Sequence, residues 1–125
     1  MANTKVGVER RKHKRLRVQD DVFVTLRPSD TGAGRLINIS PAGLMFEYVT
    51  MNQPSIEATE LEIFMTDNVF RLHEVPCQIV WDLPIYKNLT FSLHMRRCGV
   101  QFGELTHSQI SQLECFIQNH TTGKT

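Results

Sequence analysis

No stretch of this sequence approaches the roughly 18 consecutive apolar residues of a membrane-spanning helix, so membrane insertion is not expected. The N-terminus carries charge where a secretory leader needs an apolar segment, which implies a cytoplasmic protein. Cysteine is scarce. Cys77, Cys98 and Cys115 are odd in number and far apart, which argues against a disulfide framework and fits a reducing compartment. The residue sets of catalysis are missing as well. Ser40 lies in no Gly-x-Ser-x-Gly elbow. His94 and Cys98 fall four apart in an extended run, hence about 13 Å apart, and one metal ion cannot take both. Gly123-Lys124-Thr125 ends like a phosphate-binding loop, but the earlier glycine would fall at Gln118 and no helix follows. Neither an enzyme, a metal protein nor a cofactor is expected.

What remains is an ordinary globular composition with an uneven distribution of charge. The 125 residues suffice for one domain and are few for two. Apolar residues make up 41% and charged residues 22%, values of a folded domain. The net charge of +1 hides an asymmetry. Residues 1–17 hold seven bases (Lys5, Arg10, Arg11, Lys12, Lys14, Arg15 and Arg17) against Glu9 alone, a net of +6. Residues 18–125 hold seven bases against twelve acids, a net of −5. With only Val6, Val8 and Leu16 as sizeable aliphatic side chains, the first segment buries too little to order itself. The expected organisation is a flexible basic arm over 1–17, a domain over 18–119 and a frayed tail over 120–125.

From Val18 onward the pattern alternates with period two. Val22, Val24 and Leu26 alternate with Phe23, Thr25 and Arg27; Leu44, Phe46 and Tyr48 with Met45 and Glu47; Leu61, Ile63 and Met65 with Glu62 and Phe64. The cleanest alternation is Leu89–Arg96, and Gly99–Phe102 reads as the last strand. Pro76 should mark a bulge or break. Then the period changes: Thr106 and Gln109 form a capping box before Ile110, Leu113, Phe116 and Ile117 at helical spacing. Six or seven short strands with regular turns and one closing C-terminal α-helix predict an all-β fold, a small antiparallel barrel.

Two segments carry chemistry. Arg10-Arg11-Lys12-His13-Lys14-Arg15-Leu16-Arg17 is either a solvated basic tail, a phosphate-neutralising nucleic-acid arm, or a set of arginine forks for a small anionic ligand. Asn38-Ile39-Ser40-Pro41-Ala42-Gly43 puts an amide and a hydroxyl on one face of an extended chain. Its glycine permits a positive φ or the close backbone approach of a ligand; alone, the segment also reads as an ordinary polar turn. A hairpin between Val18–Arg27 and Gly34–Ile39, with facing residue numbers summing to about 61, sets Asp21 opposite Ser40 and brings both segments to one rim.

These residues resemble the PilZ domain family, the bacterial receptor module for cyclic di-GMP. Arg11-Lys12-His13-Lys14-Arg15 matches RxxxR and Asn38–Gly43 matches [D/N]xSxxG, in the family's order. Glu9-Arg10, the Gly99–Phe102 strand and the closing helix are also similar, so the likeness covers residues 9–118. It implies a six-stranded antiparallel β-barrel closed by the C-terminal α-helix, without catalysis, that binds cyclic di-GMP through Arg11, Arg15, Asn38, Ser40 and Gly43; Arg10, Arg96 and Arg97 are further candidate contacts, and Trp81 is either a stacking surface or core packing. Asn38 stands where Asp is common and gives up a charge-assisted acceptor. The resemblance further implies that ligand binding orders the arm and signals to an unidentified effector protein, in motility, attachment or exopolysaccharide control. The chain would be a monomer or a dimer. Its rivals are a nucleic-acid-binding barrel, which the −5 body disfavours, and a PilZ-like scaffold that no longer binds the nucleotide.

Overall fold

The alternating runs become strands whose apolar face is interior. The computed structural model describes residues 15–18, 21–29, 32–51, 56–67, 70–88, 90 and 93–124. In chain order these form β1 (Leu16–Val18), β2 (Val22–Pro28), β3 (Gly34–Ser40), β4 (Gly43–Met51), β5 (Ala58–Met65), β6 (Arg71–Asn88), β7 (Leu93–Phe102), α1 (His107–His120) and β8 (Thr121–Lys124). Val22 and Val24 of β2, Leu44 and Phe46 of β4, Ile63 of β5 and Val100 of β7 are all essentially inaccessible. Burying each such side chain contributes about 1.5–3 kcal/mol, which makes the alternation the main determinant of which face turns inward.

Six strands close the ring in the order β2-β5-β6-β7-β4-β3, with β2 returning to β3 at Phe23↔Arg35 and Val24↔Gly34. This is the expected antiparallel barrel. The helix α1 starts on the expected capping box, with Thr106 Oγ1 accepting from the Gln109 amide at 3.1 Å and Gln109 Oε1 from the Thr106 amide at 3.0 Å. Gln109 Nε2 also donates to the carbonyls of His73 and Glu74, tying the helix start to β6. Leu113 and Phe116 are the buried face of α1, and the Phe116 ring lies 4.7 Å from that of Phe70.

Four features depart from the sequence expectation. The stretch from Leu16 to Pro28 is two strands rather than one. β2 stays with β5 along its whole length, from Val22↔Met65 to Pro28↔Ala58, and touches β3 only at its start. The rest of that β3 edge is taken by β1, at Leu16↔Ile39 and Arg17↔Asn38, so the facing numbers are shifted from the expected sum. The edge of β3 is thus shared between β2 and β1. The tail expected to fray is instead β8, paired with β1 at Arg17↔Thr122 and Val18↔Thr121, and Gly99–Phe102 is not the last strand. Gly99 does not separate two strands: β7 runs through it. Finally, β6 continues through Pro76, which faces Glu60, and the irregularity falls earlier, next to Glu74 with its φ of 49°.

Candidate functional site

The β3–β4 hairpin forms the centre of the candidate site. Inside the barrel lie Ile39, Leu44 and Phe46; the alternate residues Asn38, Ser40, Gly43 and Met45 take the outer face. Ser40 Oγ accepts from the Ala42 amide at 3.1 Å and lies 3.5 Å from the Gly43 carbonyl, so its hydroxyl shapes the turn. Gly43 has an ordinary φ, and the close approach there is internal: a Cβ at this position would lie 2.2 Å from the Val100 carbonyl of β7. The glycine is therefore required by strand packing, whereas the sequence reading offered a turn conformation or a ligand. Asn38 is 4% exposed, and its Oδ1 has no hydrogen-bond partner among the described residues. A buried amide oxygen without a partner costs about 1–3 kcal/mol, so it is an acceptor in need of a donor.

β1 brings the arm to this hairpin. Leu16 faces Ile39 and Arg17 faces Asn38, which leaves Arg15 at the level of Ser40. The segment that joins β3 here is Leu16–Val18, and Asp21 is not paired with Ser40 as the sequence expectation had it. Arg10 and Arg11 lie outside the described residues.

Trp81 and Arg97 stand on the same outer face. Cross-strand pairing runs in one row from Asn38 to Met45, from Met45 to Gly99 and from Gly99 to Trp81. Trp81 lies directly against Gly99, where an added Cβ would come within 2.3 Å of the indole. Only glycine leaves the ring lying across the strand. Arg97 is in the next row and forks onto Glu47, with Nε 3.1 Å from Oε2, so a ligand at Arg97 must compete with that carboxylate. Arg96 points the opposite way. Its Nε donates to Asp82 Oδ1 at 3.1 Å and its Nη2 to the Asp82 carbonyl at 3.0 Å, while the Tyr48 hydroxyl donates to the same carboxylate. Burial and this carboxylate hold the Tyr48 hydroxyl protonated well above the usual tyrosine range.

Cys98 and Cys77 face the barrel. Burial pushes the Cys98 thiol up to about 12 and the Cys77 thiol up to about 11. Both raised values favour the neutral thiol in the folded state. Their contribution to stability is complete below about pH 9 and declines as the pH rises towards these folded values. Cys115 is exposed. Titration with a thiol reagent at pH 8 is therefore expected to modify Cys115 rapidly, the half-buried Cys77 more slowly and Cys98 only on unfolding; rapid labelling of Cys98 would contradict its burial.

The PilZ domain model matches residues 9–119, and the chain belongs to that family. The PilZ domain with c-di-GMP of YcgR from Escherichia coli is similar in structure, with 15% identity over 90% of this chain and 92% of its own, at a TM-score of 0.67. MrkH of K. pneumonia in its apo state matches at 14% identity and a TM-score of 0.59, over 85% of this chain and 47% of its own. The Bacillus subtilis inhibitor of motility MotI/DgrA matches at 16% identity and a TM-score of 0.53, over 88% and 51%. This chain thus spans about half the length of the latter two. At such identities the likeness is one of fold. No curated protein matches this sequence.

Sequence reasoning missed Met45 and Arg17 as neighbours of Asn38. The period-two pattern of β4 marked Met45 as facing outward, but only the strand register sets it beside Asn38.

Proposed function

We propose that this chain is a receptor for cyclic di-GMP that acts in the cytoplasm, orders its N-terminal arm on binding and signals to a separate effector protein. The observation that carries the reading is the pairing of β1 with β3 at Leu16↔Ile39 and Arg17↔Asn38, which supports a site shared by the chain around Arg15 and the Asn38–Gly43 segment, where Asn38 Oδ1 has no partner among the described residues. Arginine forks bind phosphates and guanine edges bidentately, and Asn38 accepts from a guanine N–H. Trp81 and Arg97 on the same face extend the surface for a purine and a phosphate. Membership of a family whose similar E. coli domain is described with c-di-GMP supports the ligand. In this reading the ligand's phosphates offset the +6 of residues 1–17 and draw Arg10, Arg11 and Arg15 over the rim.

Beyond Arg97 the outer face turns apolar: Val49 and Tyr86 flank Met95, and Leu83 pairs with Arg97. Val49, Leu83 and Tyr86 are each about half exposed, at 49%, 56% and 59%. Clustered exposed apolar side chains of this kind mark interaction surfaces, which supports an effector partner; motility, attachment or exopolysaccharide control is the output proposed from the family resemblance. Calorimetry with cyclic di-GMP tests the receptor reading. Saturable binding with defined stoichiometry is expected, and excess duplex DNA should not displace the nucleotide. No heat of binding, with the fold intact by circular dichroism, would leave the scaffold reading; displacement by DNA would favour the nucleic-acid reading.

A further inference from the structure

The row through Asn38 does not end at β3. Arg17 of β1 faces Asn38 on one side and Thr122 of β8 on the other, so Thr122, Arg17, Asn38, Met45, Gly99 and Trp81 are successive partners across six strands. Directly paired residues on neighbouring antiparallel strands project to the same side, with Cβ atoms about 4.5–5.5 Å apart. Arg17 is exposed and makes no ion pair with a described residue. Its neighbour in the row is the one buried side-chain oxygen without a partner among the described residues. Arg97 on the same outer face differs, being held by Glu47. Arg17 is thus a cation on the ligand face that no described carboxylate neutralises.

The row also has a polarity. After the Thr122 hydroxyl come a guanidinium, an amide, a thioether, a bare backbone and an indole. A nucleotide has the same order, from anionic phosphate through polar base edge to flat purine face. We infer that Arg17, which lies outside both sequence motifs, is a further arginine of the binding site and takes an anionic phosphate edge of the nucleotide. β8 has a place in this arrangement: by pairing with β1 it holds Arg17 in register with Asn38. The inference rests on the receptor reading above.

Calorimetry with cyclic di-GMP on the wild type, Arg17→Ala, Arg17→Lys and Arg15→Ala tests it. Arg17→Ala is expected to weaken binding by about tenfold or more, the loss of one bidentate contact, and Arg17→Lys by less. Because Arg17 is exposed, its alanine variant should unfold at the wild-type temperature without ligand and gain less in melting temperature with it. Wild-type affinity in Arg17→Ala, with Arg15→Ala weakened, overturns the Arg17 assignment and leaves the receptor reading standing. A lower melting temperature of the unliganded alanine variant, with unchanged affinity, assigns Arg17 to structure and overturns it as well. Absence of binding by the wild type overturns the receptor reading and this inference together.

Discussion

Replacing Arg11 and Arg15 together by alanine is expected to abolish measurable binding of cyclic di-GMP at micromolar protein while leaving the barrel folded. Each bidentate contact to a guanine edge is worth about 1–3 kcal/mol of recognition. If the two act independently, the double variant loses about 2–6 kcal/mol, or roughly 30-fold to 10⁴-fold in affinity. Arg15 is not part of the buried core, which starts at Val22 and runs through β2 to β7 and α1, and Arg11 lies outside the described residues. Calorimetry on the double variant, with thermal unfolding as the control, separates the possibilities. Undiminished affinity would remove both forks from the site, and a lower melting temperature without ligand would assign them to structure.

The largest effect on stability is expected at the opposite side of the sheet, with Asp82→Ala. Its carboxylate receives the Tyr48 hydroxyl at 3.0 and 2.9 Å and the Arg96 guanidinium at 3.1 Å. Tyr48 is 3% exposed, and the Arg96 and Asp82 side chains are 15% exposed, so little water replaces what the substitution removes. Removing one partner of a buried pair strands the other charge, a loss of about 3–5 kcal/mol, and here a phenol is stranded with it. A fall in melting temperature on the order of 10 °C follows. Tyr48→Phe, which leaves the ion pair intact, should cost about 1 kcal/mol. Since this cluster faces away from Asn38, Asp82→Ala should keep its affinity for the nucleotide wherever it is folded. Thermal unfolding and calorimetry on the same samples check both halves. A melting temperature within 2–3 °C of wild type would show the pair to be solvated, at about 1 kcal/mol or less.

What could be read beforehand was local in the chain. Alternation located the inward faces of β2, β4 and β5 because burial is enforced residue by residue along a strand. The Thr106–Gln109 capping box located the start of α1 because both partners lie within one turn. The two motifs around Arg15 and Asn38 were likewise legible as short strings. Register was not. β2 pairs along its length with β5 and only briefly with β3, a choice set by partners distant in the chain that no local property of Val18–Arg27 encodes. Gly43 shows the same limit. Its need for a bare Cα comes from the Val100 carbonyl, a group more than fifty residues away. The tail was misjudged for an equivalent reason: Thr121–Lys124 is polar and has no alternation, and it is a strand only because β1 offers it an edge.

That edge also bears on how the molecule assembles. β1 and β8 join segments separated by nearly the whole chain, and β1 has just three residues. Closing so long a loop carries a large entropic cost that few contacts offset. The pairing is therefore expected to form after the ring has closed and to open before the ring does, as a unit of low local stability. Amide exchange should be fast in β1 and β8 and slow in β4 and β7. The floor beneath Arg17 and Asn38 would then be the last part of the fold to form. A nucleotide binding there would slow the opening of both chain segments at once, so occupancy of the rim could be read at residues that never touch the ligand.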